Sequence, residues 1–167
     1  MILAIDPGPE QSAVVIWHDG RVVSAEIARN DQIRFSLRTR WKEIPYCACE
    51  AIACYGMPVG AETFQTCMEI GRFIEIRALQ MFPEVRLIYR REVKMHLCGN
   101  NRAKDGNIRQ ALIDKLGPVG TKKQPGPCYG IASHLWAALA VAITALETQP
   151  TQPAPPQNPP ERVQASD

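Results

Sequence analysis

The chain begins with an apolar segment, residues 1–6, that reads as a β-strand and ends in Asp6, followed directly by Pro7 and Gly8. Two more segments with strand-like patterns follow closely, at residues 12–18 and 21–28, and an Asp-Gly turn separates them. Because only short turns join the three, the pattern predicts an antiparallel β-meander. Such a sheet must bury at least one face, so the rest of the chain has to supply a covering layer.

Strand-like and helical patterns alternate in the remainder of the chain. The spacing of apolar residues predicts further strands at residues 45–51 and 85–89. It also predicts helices at residues 31–41, 61–81, 93–97, 104–116 and 131–146. A meander followed by alternating strands and helices is typical of an α/β domain, in which a mixed five-stranded sheet is flanked by helices.

Length and composition favour one folded domain followed by a disordered tail. A chain of 167 residues suits a single domain and can bury a core without disulfides or structural metals. Residues 148–167 contain six prolines among mostly polar or small residues. Such a segment buries too little apolar surface to offset the entropy of ordering it. We therefore predict a domain at residues 1–147 and a disordered, proline-rich tail at residues 148–167.

Several classes of protein are disfavoured by the composition. No apolar stretch reaches the roughly 18 residues that a membrane-spanning helix needs, and the N-terminus lacks the basic start of a signal peptide. The six cysteines are therefore expected to be free thiols, and they lack the CxxC pairs of a typical zinc site. These features predict a cytoplasmic protein with no membrane partner.

Positive charge is concentrated in residues 86–123. The whole chain has a net charge of only +2, yet this segment holds ten basic side chains against three acidic ones. Residues 1–85 hold eight basic side chains against eleven acidic ones. A basic cluster of this size can neutralise several phosphates, although most runs of charge are solvated surface. On charge alone, binding to a polyanion and a solvated surface remain equal alternatives.

Two carboxylates stand near the ends of predicted strands. Asp6 ends the first strand, and Glu50 lies near the end of the otherwise apolar strand at residues 45–51. Each has an ordinary structural interpretation, as a turn residue before Pro-Gly and as the partner of an arginine, respectively. If the two strands are neighbours, however, the carboxylates converge at one edge of the sheet. Hard oxygen ligands there suit Mg²⁺ or Mn²⁺, which can promote phosphodiester hydrolysis.

Five short motifs follow one another along residues 1–147: IDPG at 5–8, CEA at 49–51, VK at 93–94, AK at 103–104 and LAVAIT at 139–144. Together they resemble RuvC-type Holliday-junction resolvases of the RNase H-like nuclease superfamily, in a phage or prophage form, which implies a bacterial or phage-infected host cell. The resemblance implies an RNase H-like fold and a metal-dependent endonuclease that uses Mg²⁺ or Mn²⁺ and resolves four-way or other branched DNA junctions. It also implies a homodimer, in which the helix at residues 61–81 is either the contact between subunits or ordinary core.

The resemblance assigns candidate site residues one by one. Asp6 and Glu50 match two catalytic, metal-binding carboxylates of the family. The candidate DNA contacts lie in the basic segment and in the loop after Glu50: Lys94, Arg102, Lys104, Arg109 and Tyr55. Lys94 and Lys104 match basic positions of the family near DNA, whereas Tyr55 either stacks on a base or covers the core.

The last predicted helix departs from the family pattern. Where the family usually carries two acidic residues three apart, this chain has His134 and Ala137. Imidazole can ligate Mn²⁺ or act as a general base, so His134 is a third candidate for catalysis and metal binding, against an ordinary structural role. The missing acid leaves a second interpretation open, a catalytically impaired protein that binds junctions by their shape without cutting them.

An actin-like phosphotransferase, which shares the opening meander and an early aspartate, is the remaining alternative. Such proteins need a second half with further phosphate-binding loops, for which the chain is too short. The GxxxxGK[ST] motif of P-loop enzymes is absent as well. We therefore predict no nucleotide cofactor.

Overall fold

The computed structural model describes residues 1–54, 56–80 and 85–148. Within them lie five strands, β1 (Ile2–Asp6), β2 (Gln11–His18), β3 (Arg21–Arg29), β4 (Tyr46–Ala51) and β5 (Arg86–Tyr89). The helices are α1 (Asn30–Arg38), α2 (Ala61–Ala78), α3 (Arg90–Cys98), α4 (Asp105–Leu116) and α5 (Leu135–Glu147). Tyr55 and the tail after Thr148 lie outside the described residues, as does the last residue of the helix predicted at 61–81.

The five strands form one mixed sheet in the order β3-β2-β1-β4-β5. The meander is antiparallel, as predicted, while β4 pairs in parallel with β1, and β5 pairs in parallel with β4. Three neighbouring strands, β1, β4 and β5, therefore end at the same edge of the sheet. The predicted α/β fold with a mixed five-stranded sheet is confirmed.

Helices cover both faces of the sheet, and alternate residues of β1 show how the two faces differ. Ile2 and Ala4 pack in an apolar cluster with α3, α4 and α5, whereas Leu3 and Ile5 pack in a second cluster with α1 and α2. Helix α5 is buried along almost its whole length, which explains its composition of alanine, leucine and valine. In the described part of the chain, no helix is both long and apolar enough to cross a membrane.

Two helices begin several residues away from the predicted positions, whereas the others begin within one residue of them. Helix α5 begins at Leu135 rather than residue 131, because Ser133 has a left-handed backbone conformation (φ 48°) that interrupts a helix there. Helix α3 begins at Arg90 rather than residue 93, because the Glu92 carboxylate accepts a hydrogen bond from the backbone N–H of Tyr89 at 2.7 Å. Both differences change where side chains near Asp6 lie, because His134 directly precedes α5 and Arg90 is the first residue of α3.

All six cysteines are free thiols. Cys47, Cys49 and Cys128 are buried. Burial raises the pKa of Cys47 to about 12, so this side chain stays a neutral thiol packed in the core.

Candidate active site

Asp6 and Glu50 lie side by side at the ends of two parallel strands. Ile5 of β1 is paired in register with Cys49 of β4, so the residue after each occupies the next position along its strand. Because side chains alternate between the faces of a strand, both carboxyl groups lie on the same face as Ala4 and therefore toward α5. Their side chains are only 15% and 13% exposed, respectively. The convergence expected from the sequence is present.

The loop that follows Asp6 is held by a short buried hydrogen-bond network. Ser12 Oγ donates to Asn30 Oδ1 at 2.7 Å, and Asn30 Nδ2 donates to the carbonyl oxygen of Gly8 at 2.9 Å. Gly8 cannot be replaced easily, because an added Cβ would lie 2.5 Å from the carbonyl oxygen of Gln11. The turn is therefore fixed close to the sheet, and this leaves the Asp6 carboxyl group accessible beside it.

The two carboxyl groups perturb each other's ionisation. Burial, followed by repulsion from Asp6, raises the pKa of Glu50 to about 8, although the nearby Arg90 opposes the shift. Burial also raises the pKa of Asp6, while a hydrogen bond from Glu50 and the proximity of His134 and Arg90 oppose that shift. In the metal-free protein, the raised pKa of Glu50 favours its protonated form, in which it can donate a hydrogen bond to the Asp6 carboxylate. A bound divalent cation would stabilise the doubly ionised pair.

His134 lies against Asp6 but outside the helix in which it was expected. Its Nδ1 is 3.2 Å from Asp6 Oδ2, and its side chain is 73% exposed. The residue is the N-cap of α5, because the left-handed Ser133 turns the chain just before the helix begins. The prediction that His134 lies within the last helix is therefore wrong, but the side chain still lies next to Asp6.

An arginine that the sequence analysis did not select completes the edge of the sheet. Arg90 follows β5 directly, so it stands at the third parallel strand end, beside Glu50. Its Nη1 lies 3.5 Å from Glu50 Oε2, and its Nη2 donates a hydrogen bond to Asp105 Oδ1, at the first turn of α4. Arg90 could have been found from the rule that parallel strands end at one edge. Asp105 carried no comparable signal.

These side chains surround one cavity of about 490 Å³, whose lining includes Asp6, Glu50, Arg90, Asp105, His134 and Ala137. Ala137 stands where the family pattern has the second acid of the last helix, and it contributes only a methyl group to the cavity wall. A larger groove of about 1070 Å³ adjoins the cavity at Asp6 and His134 and continues past Arg29 to Glu62 of α2. The buried carboxyl pair is thus reached from an open groove.

The donors present fit a divalent cation only in part. Asp6 and Glu50 offer hard oxygen ligands whose repulsion a cation would relieve, which suits Mg²⁺ or Mn²⁺. Within residues 1–54, 56–80 and 85–148, however, no three Asp, Glu, His or Cys side chains are grouped so that they could hold a metal together. The pair at the strand ends is therefore the candidate metal-binding unit, and His134 adjoins it through Asp6 alone.

The candidate DNA-binding residues divide into two groups. Lys104, the N-cap of α4, and Arg109, on the same helix, are both exposed close to the cavity. Arg109 stacks over the Trp136 ring, with 5.1 Å between guanidinium carbon and ring centroid, and that tryptophan lines the cavity. Lys94 lies on α3 and Arg102 in the α3–α4 loop, and none of the four basic side chains is part of the cavity lining itself.

Solved structures of the same fold include Thermus thermophilus RuvC, which is 20% identical to this chain with a TM-score of 0.61. A second is T. thermophilus RuvC in complex with Holliday junction substrate, at 19% identity and the same TM-score. Each match covers 87% of this chain and 92% of the RuvC chain. No protein-family model and no curated protein matches the chain. The similarity confirms the RuvC-type, RNase H-like fold that the motifs predicted.

Proposed function

We propose that the protein is a metal-dependent, structure-selective endonuclease that hydrolyses phosphodiester bonds at four-way or other branched DNA junctions. The observation that carries this proposal is the buried Asp6–Glu50 pair at the parallel strand ends of a RuvC-type sheet. A largely buried pair of carboxyl groups is costly for a structural role, because among the described residues its basic neighbours are only Arg90 and the exposed His134. The similar fold of a RuvC bound to Holliday junction substrate supports branched DNA as the ligand.

The side chains of the site would divide the work. Asp6 and Glu50 would hold Mg²⁺ or Mn²⁺, which when bound supplies a Lewis acid and lowers the pKa of a bound water. Loading requires Glu50 to lose its proton, which its raised pKa opposes below about pH 8. Nδ1 of the exposed His134 ring contacts Asp6, so Nε2 would be the atom that accepts a proton from the side of the groove.

The basic segment would bind the DNA backbone beside the cavity. Lys104 caps α4 and Arg109 lies on it, and this helix contributes Asp105 and Ile108 to the cavity lining. Lys94 and Arg102 extend the positive surface along α3 and the following loop. Such contacts supply affinity without sequence preference, which suits recognition of a branched shape. We include Tyr55, outside the described residues, as a proposed stacking contact.

We propose further that two copies pair through the outer face of α2. One face of this helix is buried in the core through Ile70, Phe73 and Ile76, while Phe64 and Met68 on the opposite face are largely exposed. An exposed apolar pair one helical turn apart is typical of a contact surface. Sedimentation analysis tests this directly: the wild type should be a dimer, Met68→Asp a monomer, and an unchanged dimer would exclude this face.

A second candidate function is supported by the departures at the site. Ala137 supplies no ligand, His134 is mostly exposed outside the helix, and a guanidinium already contacts Glu50. A site weakened in this way would leave a protein that binds junctions by their shape without cutting them.

The experiment that separates the two candidates is a nicking assay on a synthetic four-way junction beside a linear duplex of the same sequence. We expect nicks near the branch point of the junction with Mg²⁺ or Mn²⁺, none with EDTA, and little cutting of the duplex. Tight junction binding without nicks in either metal would favour the shape-binding protein. Equal cutting of both substrates would contradict selectivity for branched DNA.

A further inference from the structure

Arg90 is the cation that the structure places beside the carboxyl pair. It is the first residue of α3, and its guanidinium bridges two carboxylates, the buried Glu50 and the exposed Asp105. The contact with Glu50 Oε2 measures 3.5 Å, at the outer limit of a hydrogen bond and therefore weak. The contact with Asp105 holds the other end of the guanidinium at the surface. Asp105 thus holds Arg90 at the surface, and the guanidinium contacts the pair only weakly, through Glu50.

We propose that Arg90 is the resident counter-cation of the Asp6–Glu50 pair and competes with the divalent cation for Glu50. The proposal rests on the proposed function, because it concerns the same metal-binding pair. Arg90 acts as a positioning residue, since it affects the reaction through Glu50. In the absence of metal it compensates the negative charge that the pair carries, and on metal binding it moves toward Asp105.

Charge and geometry both require this competition. Guanidinium remains charged at any physiological pH, so Arg90 cannot lose its proton to make room for a second cation. The Glu50 oxygen that faces Arg90 is also a candidate metal ligand, and two cations at one buried carboxylate repel each other strongly. Asp105 resolves the conflict, because this exposed carboxylate can keep the guanidinium when Glu50 no longer does.

The competition has two consequences that a merely structural arginine would not have. The positive charge of Arg90 weakens binding of the divalent cation. Wild type should therefore need a higher metal concentration for half-saturation than a variant that lacks Arg90. This charge also stabilises the metal-free protein, because it partly neutralises the negative charge of the largely buried pair. Removing Arg90 should therefore change metal affinity and metal-free stability in opposite directions.

The test compares Arg90→Ala and Arg90→Gln with wild type, and with Arg91→Ala as a control. The control removes the same charge from the neighbouring exposed position. Mn²⁺ affinity is measured by isothermal titration calorimetry without DNA, and Tm is measured in EDTA and in saturating Mn²⁺. The glutamine variant keeps a hydrogen-bonding side chain and serves if the alanine variant does not fold.

We expect both Arg90 variants to bind Mn²⁺ about tenfold more tightly, as loss of one nearby charge predicts. Their Tm in EDTA should fall, and Mn²⁺ should raise it by more than it raises that of the wild type. Arg91→Ala should match the wild type in both respects. Equal or weaker Mn²⁺ binding by the Arg90 variants, with measurable binding by the wild type, would overturn the role of Arg90 alone. Absence of Mn²⁺ binding in every protein would overturn the metal-dependent function as well.

Discussion

Asp6 and Glu50 are neighbours because Ile5 of β1 and Cys49 of β4 are paired in parallel register. One residue of slippage between the strands would move the two carboxyl groups to opposite faces of the sheet. The register therefore determines whether this edge can bind a cation. It is maintained by buried strand residues on both faces, such as Ala48 and Cys47, so the site depends on the core beneath it.

The first prediction concerns pH and the stability of the metal-free protein. The pKa of Glu50 is about 8 in the folded protein, above the value of 4.5 for an unperturbed Glu. The folded state therefore binds more protons than the unfolded state between these values, and stability is lost as pH rises through that range. In EDTA, Tm should fall between pH 5 and pH 8. Glu50→Gln should show a smaller fall in Tm and should be more stable than wild type at pH 8. An equally steep fall in the variant would contradict the raised pKa of Glu50.

The second prediction concerns the salt dependence of DNA binding. Lys94→Ala and Lys104→Ala should each weaken junction binding at low salt and reduce the slope of log K against log salt by about one, because each removes one phosphate contact. Lys42→Ala is the matched control, since it removes an exposed lysine outside the basic segment. Fluorescence anisotropy over a salt series measures the slope. A slope equal to that of the control would show that the substituted lysine does not contact DNA.

The third prediction concerns the missing acid. His134→Asp combined with Ala137→Asp adds two carboxylates to the wall of the cavity. If metal loading limits cleavage, the double variant should reach half-maximal nicking at an Mn²⁺ concentration lower by about tenfold, because ligand charge sets the affinity for hard cations. Ala132→Asp, exposed and outside the cavity lining, is the control for added charge. An unchanged Mn²⁺ dependence of the nicking rate would show that these two positions do not limit loading.

Much of the fold follows from local patterns. Short turns joined the first three strands, and an apolar run around Glu50 indicated a buried strand, so the α/β fold and the convergence of Asp6 with Glu50 could be predicted. The start of α3 could not, because Arg90 and Arg91 carry no apolar periodicity and the helix begins through a cap made by Glu92. The contact between Arg90 and Glu50 was therefore missed.

The position of His134 shows the limit of pattern reasoning at the other end of the site. The apolar spacing of residues 131–146 is continuous, and it predicts a single helix. The backbone of Ser133 is left-handed, however, and no apolar pattern reports the conformation of one residue. His134 reaches Asp6 from a helix cap, a placement that only the three-dimensional structure reveals.

The central claim is that Asp6 acts in metal-dependent cleavage of DNA junctions, and Asp6→Asn tests it most directly. The substitution keeps the size of the side chain and removes the negative charge that is proposed to hold the metal, while it leaves the basic surface intact. Nicking of a four-way junction by wild type and variant is measured with Mg²⁺ and with Mn²⁺, beside junction affinity and circular dichroism. We predict at least about a thousandfold loss of nicking with affinity within about twofold of wild type and an unchanged spectrum. Nicking at the wild-type rate by a folded Asp6→Asn would contradict the account.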